Sequence, residues 1–324
     1  MTIENLANLV APELEKVNEK IIEASGNHVE LIPTVAKYII SGGGKRVRPM
    51  FTLASAKMCG YQGNRHVNLA AAVEFMHTAT LLHDDVVDES DKRRGRDTAN
   101  NIWGNKPSVL VGDYLLGKAF QMMVADGSLE VLRILSDAAA HIAEGEVMQL
   151  STTNNIETTL QQYIEVIDAK TASLFAAACE VGGAIVEDEA KSAALKEFGT
   201  NFGIAFQIID DALDYSANPQ KFGKTIGDDF REGKVTLPVI YAYERGGADD
   251  KNFWRNIIEE GAEIRESELN AAHKKIHDTG SFAATIEFAK NYGDKACKAL
   301  NKFPDSEIKT AFFEIVDFCI NRDF

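Results

Sequence analysis

The distribution of proline constrains this chain more than any other feature of its sequence. The 324 residues include only seven prolines, at positions 12, 33, 49, 107, 219, 238 and 304. Because proline interrupts helices from within, long proline-free blocks such as 108–218 favour long helices. Apolar residues in NLAAAVEFMHTATLLH (68–83) follow the helical period, and no segment alternates as a confident strand does. The sequence therefore predicts an all-α fold, with helices expected at 3–25, 66–88 and 157–185 among others. Since no linker or composition shift divides it, a single domain over residues 1–324 is expected.

Net charge and cysteine usage exclude several classes of protein. The formal net charge is −15, which argues against general nucleic-acid binding because that function needs a basic face. The four cysteines are scattered, without metal-ligand spacing, which fits a reducing compartment. The segment MTIENLANLVAPELEKV has no signal-peptide pattern, and no apolar stretch is long enough to span a bilayer. A cytoplasmic protein is expected.

Positive charge is concentrated in three glycine-containing loops. They are SGGGKRVRP (41–49), ESDKRRGRDTANNIWGNKP (89–107) and NPQKFGKTIGDDFREGK (218–234). In an acidic protein such clustering indicates that the loops meet around an anion.

An acidic motif with the spacing Asp-Asp-x-x-Asp occurs twice in apolar helical sequence. Its members are Asp84, Asp85 and Asp88 in the first copy and Asp210, Asp211 and Asp214 in the second. Residues at i and i+4 share a helix face, and like charges at that spacing destabilise a bare helix by a few tenths of a kcal/mol. One copy is as typical of a solvated helix end as of a metal site. Two copies, each accompanied by a basic loop, favour a compensating cation.

The ligand chemistry of these motifs points to Mg²⁺. Few protein carboxylates, with water and phosphate oxygens completing the shell, suit that ion. A calcium EF-hand loop is excluded because neither stretch has its ladder of Asp and Asn, its central Gly and its terminal Glu. Zinc would need a His or Cys cluster, which the sequence lacks.

One histidine lies on the same helical stripe as the first motif. His77, Leu81, Asp84 and Asp88 follow one another at spacings of four, three and four residues. A lone histidine on an apolar helix is usually a core residue, but this position favours a binding role for His77. His83 lies off the stripe and is assigned a structural role.

With both motifs in view, the sequence resembles the trans-prenyl diphosphate synthases over nearly its whole length. The matching blocks, in the family's order, are GGGKRVRP, LLHDDVVDESDKRRG, AKTASLF, FQIIDDALDY, GKTIGDD and EGKVTLP. The match is closest to the bacterial octaprenyl diphosphate synthases. Val235 departs from the pattern, since proline is expected there, but Lys234 is retained.

The resemblance implies a helical bundle around a deep central cavity, assembled as a homodimer. The reaction of this family adds isopentenyl diphosphate repeatedly to an allylic diphosphate such as farnesyl diphosphate, with three Mg²⁺ ions per active site. Breaking the allylic C–O bond leaves a carbocation and a diphosphate, and the C=C bond of isopentenyl diphosphate attacks the cation. The apolar cavity keeps water from quenching it. An octaprenyl product would serve as a quinone side chain and be handed to a membrane.

The resemblance also assigns roles to individual residues. The metal group is Asp84, Asp88, Asp210 and Asp214. Catalytic roles fall to Asp84, Asp85, Asp88, Arg93, Lys170, Asp210 and Asp211. Isopentenyl diphosphate would bind Lys45, Arg48, His77 and Arg94, and the allylic diphosphate Arg93, Lys170, Thr171, Gln207, Lys224 and Lys234.

Small residues one turn before the first motif predict a long product. Ala79 and Thr80 leave the path of the growing chain open, Met76 lies beside them, and Met123 is a candidate for the floor of the pocket. Chain length and primer are left open by the sequence.

Two other functions share parts of this pattern. A terpene cyclase would carry a different second metal motif and has no need of the GGGKRVRP loop. A silent regulatory subunit of a two-chain synthase would be expected to lose aspartates or basic loops, and neither is lost here.

Overall fold

The computed structural model describes residues 2–26, 28–42, 44–216, 227–259 and 265–321. The helices are α1 Thr2–Leu9, α2 Ala11–Ser25, α3 Leu31–Ile40, α4 Val47–Met58, α5 Arg65–Val87, α6 Ala99–Trp103, α7 Asn105–Asp126, α8 Leu129–Thr152, α9 Leu160–Ile167, α10 Ser173–Ala184, α11 Glu189–Leu213, α12 Asp228–Arg231, α13 Leu237–Arg245, α14 Ala248–Glu259, α15 Glu266–Asp278, α16 Ser281–Ala299 and α17 Glu307–Ile320. The predicted all-α class is confirmed.

Local chemistry explains where the helices depart from the sequence expectation. The first predicted helix, 3–25, divides into α1 and α2 next to Pro12, whose ring nitrogen cannot donate a helical hydrogen bond. Helix α9 begins at residue 160, later than expected, because Thr159 and Gln162 form a capping box. Between α9 and α10, residues Asp168–Ala172 form a π-helical turn.

In the part of the chain that the structure describes, one antiparallel hairpin interrupts the helices. Strands β1 (Lys92–Arg93) and β2 (Arg96–Asp97) pair with Arg93 opposite Arg96. The two turn residues, Arg94 and Gly95, have φ values of 54° and 74°, as a two-residue hairpin turn requires. Strands this short carry too little alternation to be read from sequence.

The described chain forms two compact units. Unit 1 comprises Met1–Ala140, Leu174–Gly199 and Cys297–Ile315, and unit 2 comprises His141–Ser173, Thr200–Ala296 and Val316–Phe324. The single domain expected over residues 1–324 stays a prediction.

Each unit has its own apolar core. In unit 1 the rings of Phe51, Phe175, Phe198 and Phe312 contact one another, with centroids 4.7 Å apart for Phe198 and Phe312. In unit 2 the buried Trp254 lies edge-on to Phe230. Burial of a large apolar side chain contributes roughly 1.5–3 kcal/mol, so these clusters fix the helices that carry the polar groups.

Helices α5 and α7 pack closely in unit 1. A Cβ at Gly112 would lie 2.3 Å from His83 Nε2, so a larger residue there would displace the imidazole. His83 Nε2 lies 3.2 Å from the Val109 carbonyl oxygen and 3.4 Å from Asp113 Oδ1. These contacts support the structural role expected for His83. Among the described helices, none has both the length and the apolar character to cross a membrane.

Candidate functional site

The first aspartate motif forms a partly exposed stripe along α5. His77, Leu81, Asp84 and Asp88 are all half-buried, whereas Asp85 faces inward and is 1% exposed. Arg93 Nε donates to Asp85 Oδ1 at 2.8 Å. Burial raises the pKa of Asp85, and Arg93 opposes that shift. Asp84 and Asp88 therefore face the open side of the helix, and Asp85 holds the hairpin arginine.

A cationic cluster of Arg46, Arg48 and Arg94 lies beside this stripe in unit 1. Arg48 Nη1 lies 3.2 Å from His77 Nε2, and the Arg48 guanidinium stacks 4.2 Å from the Phe175 ring centre. Burial lowers the pKa of Arg48 to about 10. Because a guanidinium can only donate, His77 Nε2 must accept, which leaves the imidazole neutral with its proton on Nδ1. Burial and the surrounding arginines also lower the pKa of His77 well below its usual value.

One donor of this cluster indicates an anion. Arg48 Nε is buried and has no hydrogen-bond acceptor among the residues that the structure describes. A buried donor left in this state costs about 1–3 kcal/mol unless a ligand satisfies it. Lys45, in the loop just before α4, is exposed.

A buried carboxylate that the sequence reasoning missed faces the same cluster. Glu74, on α5, accepts from Arg46 Nη1 at 2.5 Å. Burial raises the pKa of Glu74, and Arg46, Arg48 and Arg94 oppose the shift. A glutamate one turn before His77 in an apolar helix was the available signal, since such a residue is rarely buried without a partner.

The second aspartate motif, at the end of α11 in unit 2, divides into three roles. Asp210 is half-buried. Asp211 accepts from Tyr163 Oη at 2.6 Å and from Gln207 Nε2 at 2.7 Å. Asp214 accepts from the backbone N–H groups of Gly227 (3.1 Å) and Asp229 (3.2 Å). The metal role that the sequence assigned to Asp214 stays a prediction, since both of its oxygens bind backbone amides.

The Asp211 network orients further polar groups. Thr171 Oγ1 donates to Gln207 Oε1 at 2.8 Å, so the amide bridges Thr171 and Asp211. Burial and the nearby Asp229 raise the pKa of Asp211 to about 7, and Tyr163 and Gln207 oppose the shift. Tyr163 carries no sequence signal, because an aromatic residue in an amphipathic helix is usually a core residue.

The π-helical turn presents Lys170 to helix α8. Lys170 Nζ donates to Glu146 Oε2 at 2.8 Å and to Gln149 Oε1 at 2.6 Å. The two segments approach so closely that a Cβ at Gly145 would lie 2.7 Å from the Lys170 backbone nitrogen. Turns of this kind are rare and occur frequently at functional sites.

Several of these groups line one polar cavity of about 120 Å³ within unit 2. Its lining includes Gln149, Tyr163, Lys170, Thr171, Gln207, Asp211, Asp229 and Lys234. Lys234 forms an ion pair with Glu232 at 2.6 Å. The structure thus brings together four of the six residues assigned to the allylic diphosphate. Arg93 lies in unit 1, and Lys224 lies outside the described residues.

The residues assigned to chain length all lie in unit 1. Met76, Ala79 and Met123 are buried, and Thr80, on the partly exposed face of α5, is half-buried. Their role in product length stays a prediction.

Each aspartate motif offers carboxylates that fit a hard cation which brings its own further ligands. Within the described ranges, no three His, Cys, Asp or Glu side chains converge tightly enough to enclose a metal ion. Asp84, Asp88 and Asp210 supply carboxylate oxygens on partly exposed helix faces, as Mg²⁺ bound to water and phosphate requires.

Comparison with known proteins gives matches over most or all of the chain. The family model described as "Polyprenyl synthetase" matches residues 29–276. The chain is 44% identical to the octaprenyl diphosphate synthase of Escherichia coli K12, over 100% of both chains. It is 37% identical to an all-trans-nonaprenyl-diphosphate synthase (geranyl-diphosphate specific) of Rhodobacter capsulatus, over 97% of this chain and 96% of that one. A crystal structure of polyprenyl synthase from Caulobacter crescentus CB15, complexed with calcium and isoprenyl diphosphate, matches with a TM-score of 0.95 and 44% identity, covering 99% of this chain and 98% of that one.

Proposed function

The chain belongs to the polyprenyl synthetase family, and on that premise we propose that it elongates an allylic diphosphate by repeated addition of isopentenyl diphosphate. The product is a long-chain all-trans-polyprenyl diphosphate of octaprenyl length. The observation that carries the proposal is the full-length likeness to a synthase of that product, in a chain that keeps both aspartate motifs. Farnesyl diphosphate is the proposed primer.

The cavity of unit 2 is the proposed seat of the allylic diphosphate. Lys170 and Lys234 supply positive charge, and Thr171 and Gln207 supply a hydroxyl and an amide held in register by Asp211. Such preorganised groups stabilise negative charge as it develops on the leaving oxygens. The sequence resemblance assigns Arg93, which Asp85 holds in unit 1, to the same diphosphate.

The cationic cluster of unit 1 is the proposed seat of isopentenyl diphosphate. Lys45, Arg48 and Arg94 bind its diphosphate, and the neutral His77 offers its Nδ1 proton as a donor. Held there, the C=C bond attacks the allylic cation, and the departing diphosphate accepts the final proton. No nucleophilic side chain is needed.

A divalent cation belongs to the chemistry of this family, and we propose that it is Mg²⁺, with three ions per site. Asp84, Asp88 and Asp210 would hold it, and when bound it neutralises charge on the diphosphate. The proposal that both motifs serve one diphosphate rests on the sequence resemblance.

A homodimer and a cytoplasmic setting complete the proposal. Leu110, Val124 and Leu129 are large apolar side chains that are 66%, 64% and 83% exposed in unit 1, and a second copy of the chain would cover them. Light scattering tests this assembly, and Leu110→Arg should shift it to monomer. A chain with eight isoprene units is largely apolar, which is why we propose that it passes to a membrane as a quinone side chain.

The decisive experiment incubates the purified chain alone with Mg²⁺, farnesyl diphosphate and radiolabelled isopentenyl diphosphate. Long-chain products are expected. A hydrocarbon made without isopentenyl diphosphate would indicate a terpene cyclase, and no product at all would support a regulatory subunit.

Variants of the two motifs test the metal assignment. Asp84→Ala and Asp210→Ala should each lower kcat by about 100-fold or more, the usual size of a lost transition-state contact. Asp137→Ala, an exposed aspartate on α8, is the matched control and should leave kcat unchanged. Near-wild-type rates in both motif variants, with folding intact by circular dichroism, would falsify the metal site.

A further inference from the structure

A buried ion pair holds the segment that carries Lys45 and Arg48, which is the end of the α3–α4 loop and the first turn of α4. Glu74 is 4% exposed and accepts from Arg46, which itself lies between Lys45 and Val47 at the N-terminus of α4. The same guanidinium donates to the Ile40 carbonyl oxygen at 2.8 Å, at the end of α3. Its side chain therefore ties the loop to two other helices.

The backbone at Arg46 shows that this anchoring is needed. Arg46 has a φ of 53°, in the left-handed region that costs a residue with a Cβ roughly 1–2 kcal/mol. Such a conformation persists only when surrounding contacts determine it. The hydrogen bonds to Glu74 and Ile40 supply such contacts, with a longer one of 3.5 Å from Arg46 Nε to Asn18 Oδ1, and they set the direction in which the flanking residues leave the loop.

Charge repulsion gives Glu74 a second task. A Cβ at Gly44 would lie 3.3 Å from both Arg46 Nη1 and Arg94 Nη1, so the two guanidinium groups approach within about 7 Å of each other. Arg48 also lies close enough to Glu74 to interact with it electrostatically. A site built from several cations must be stable before its anion arrives, and a buried carboxylate offsets part of that repulsion.

We propose that Glu74 and Arg46 are positioning residues for isopentenyl diphosphate, which preset Lys45, Arg48 and Arg94 to receive its diphosphate. The inference rests on the proposed function, since it assigns this cluster to that substrate. A purely structural ion pair would support folding and leave substrate affinity unchanged.

The experiment compares Glu74→Gln with a matched buried pair elsewhere in unit 1. Arg65 binds Asp126 through two hydrogen bonds, of 2.8 and 2.7 Å, and the Asp126 side chain is 1% exposed. Glu74→Gln should raise the KM for isopentenyl diphosphate at least tenfold and leave the KM for farnesyl diphosphate within twofold. Asp126→Asn should lower the melting temperature and leave both KM values within twofold.

A second variant covers the case in which Glu74→Gln does not fold. Arg46→Lys keeps the charge but loses the planar fork that bonds two acceptors at once, so the same split of KM values is expected. An unchanged KM for isopentenyl diphosphate in folded variants, or equal rises in both KM values, would overturn the inference. An inactive wild-type chain would instead contradict the proposed function.

Discussion

Replacing Gly145 by alanine tests how closely α8 must approach Lys170. The added Cβ would lie 2.7 Å from the Lys170 backbone nitrogen and 3.0 Å from Ala169 Cβ, whereas ordinary contact begins near 3.4 Å. The π-helical turn or α8 must therefore move by about 0.7 Å. Lys170 Nζ would then lose its hydrogen bond to Glu146 Oε2 (2.8 Å) or to Gln149 Oε1 (2.6 Å).

Two opposing effects determine the change in the free energy of unfolding, and one effect determines the change in kcat. Alanine is favoured over glycine in a helix by about 1 kcal/mol, and overpacking costs about 1–3 kcal/mol. The free energy of unfolding should thus fall by at most about 2 kcal/mol. A displacement near 1 Å in a positioned group can cost about 100-fold in rate, so kcat should fall by about 10- to 100-fold.

The assay is steady-state incorporation of radiolabelled isopentenyl diphosphate, paired with thermal unfolding. Gly183→Ala is the matched control, because its Cβ would lie 2.4 Å from the Ser192 backbone nitrogen in unit 1. It should lower the melting temperature and leave kcat and KM within twofold. Wild-type kinetics in Gly145→Ala, or an equal loss in Gly183→Ala, would refute the reasoning.

Three further predictions concern substrate, product and pH. Arg94→Ala should raise the KM for isopentenyl diphosphate more than that for farnesyl diphosphate, because a methyl group cannot replace bidentate contacts; the reverse order would exchange the roles of Arg94 and Arg93. Ala79→Tyr should stay active and release products near farnesyl or geranylgeranyl length, since one helix turn of about 5.4 Å is close to an isoprene unit. A smaller residue at Met123 should lengthen the product. Reverse-phase separation of dephosphorylated products measures both effects, and unchanged lengths in Ala79→Tyr would show that the growing chain does not pass this face of α5. Because burial raises the pKa of Asp211 to about 7, its ionised form destabilises the fold above that pH and the cost is relieved as the pH falls. In metal-free buffer, thermal unfolding from pH 8 to pH 6 should therefore show the wild type gaining stability, on the order of 1 kcal/mol, over Asp211→Asn, and parallel pH profiles would contradict this.

The features that can be predicted from the sequence are those that depend on residues close together in the chain. Helix α5 runs from Arg65 to Val87, against an expected 66–88, because its apolar period and its polar stripe are both written in consecutive residues. The family follows from ordered motifs, each contained within a short segment, and the comparisons bear it out.

The partners of individual side chains could not be predicted in the same way. Asp85, Asp211 and Asp214 look equivalent in the two motifs, yet one holds Arg93, one holds Tyr163 and Gln207, and one holds backbone amides. Gln207 lies one turn before Asp211 on α11, a pairing that helix spacing allows. The other partners come from other elements or from later segments of the chain, and there packing decides which groups meet.

The hairpin at 92–97 makes this stretch sensitive to the number of its residues as well as to the identity of Arg93 and Arg94. Ser90 N–H donates to the Asp85 carbonyl oxygen and Thr98 Oγ1 donates to that of Ser90, so both ends of the segment are tied down. Successive side chains of a strand point to opposite faces, and a slip of one residue exchanges them. Substitutions at Lys92 should be tolerated, whereas inserting a single residue between Asp88 and Arg93 would turn that arginine away from Asp85 and bring its neighbour into its place. Homologues should therefore vary at the position of Lys92 and agree in the number of residues between the Asp-Asp-x-x-Asp motif and the two arginines.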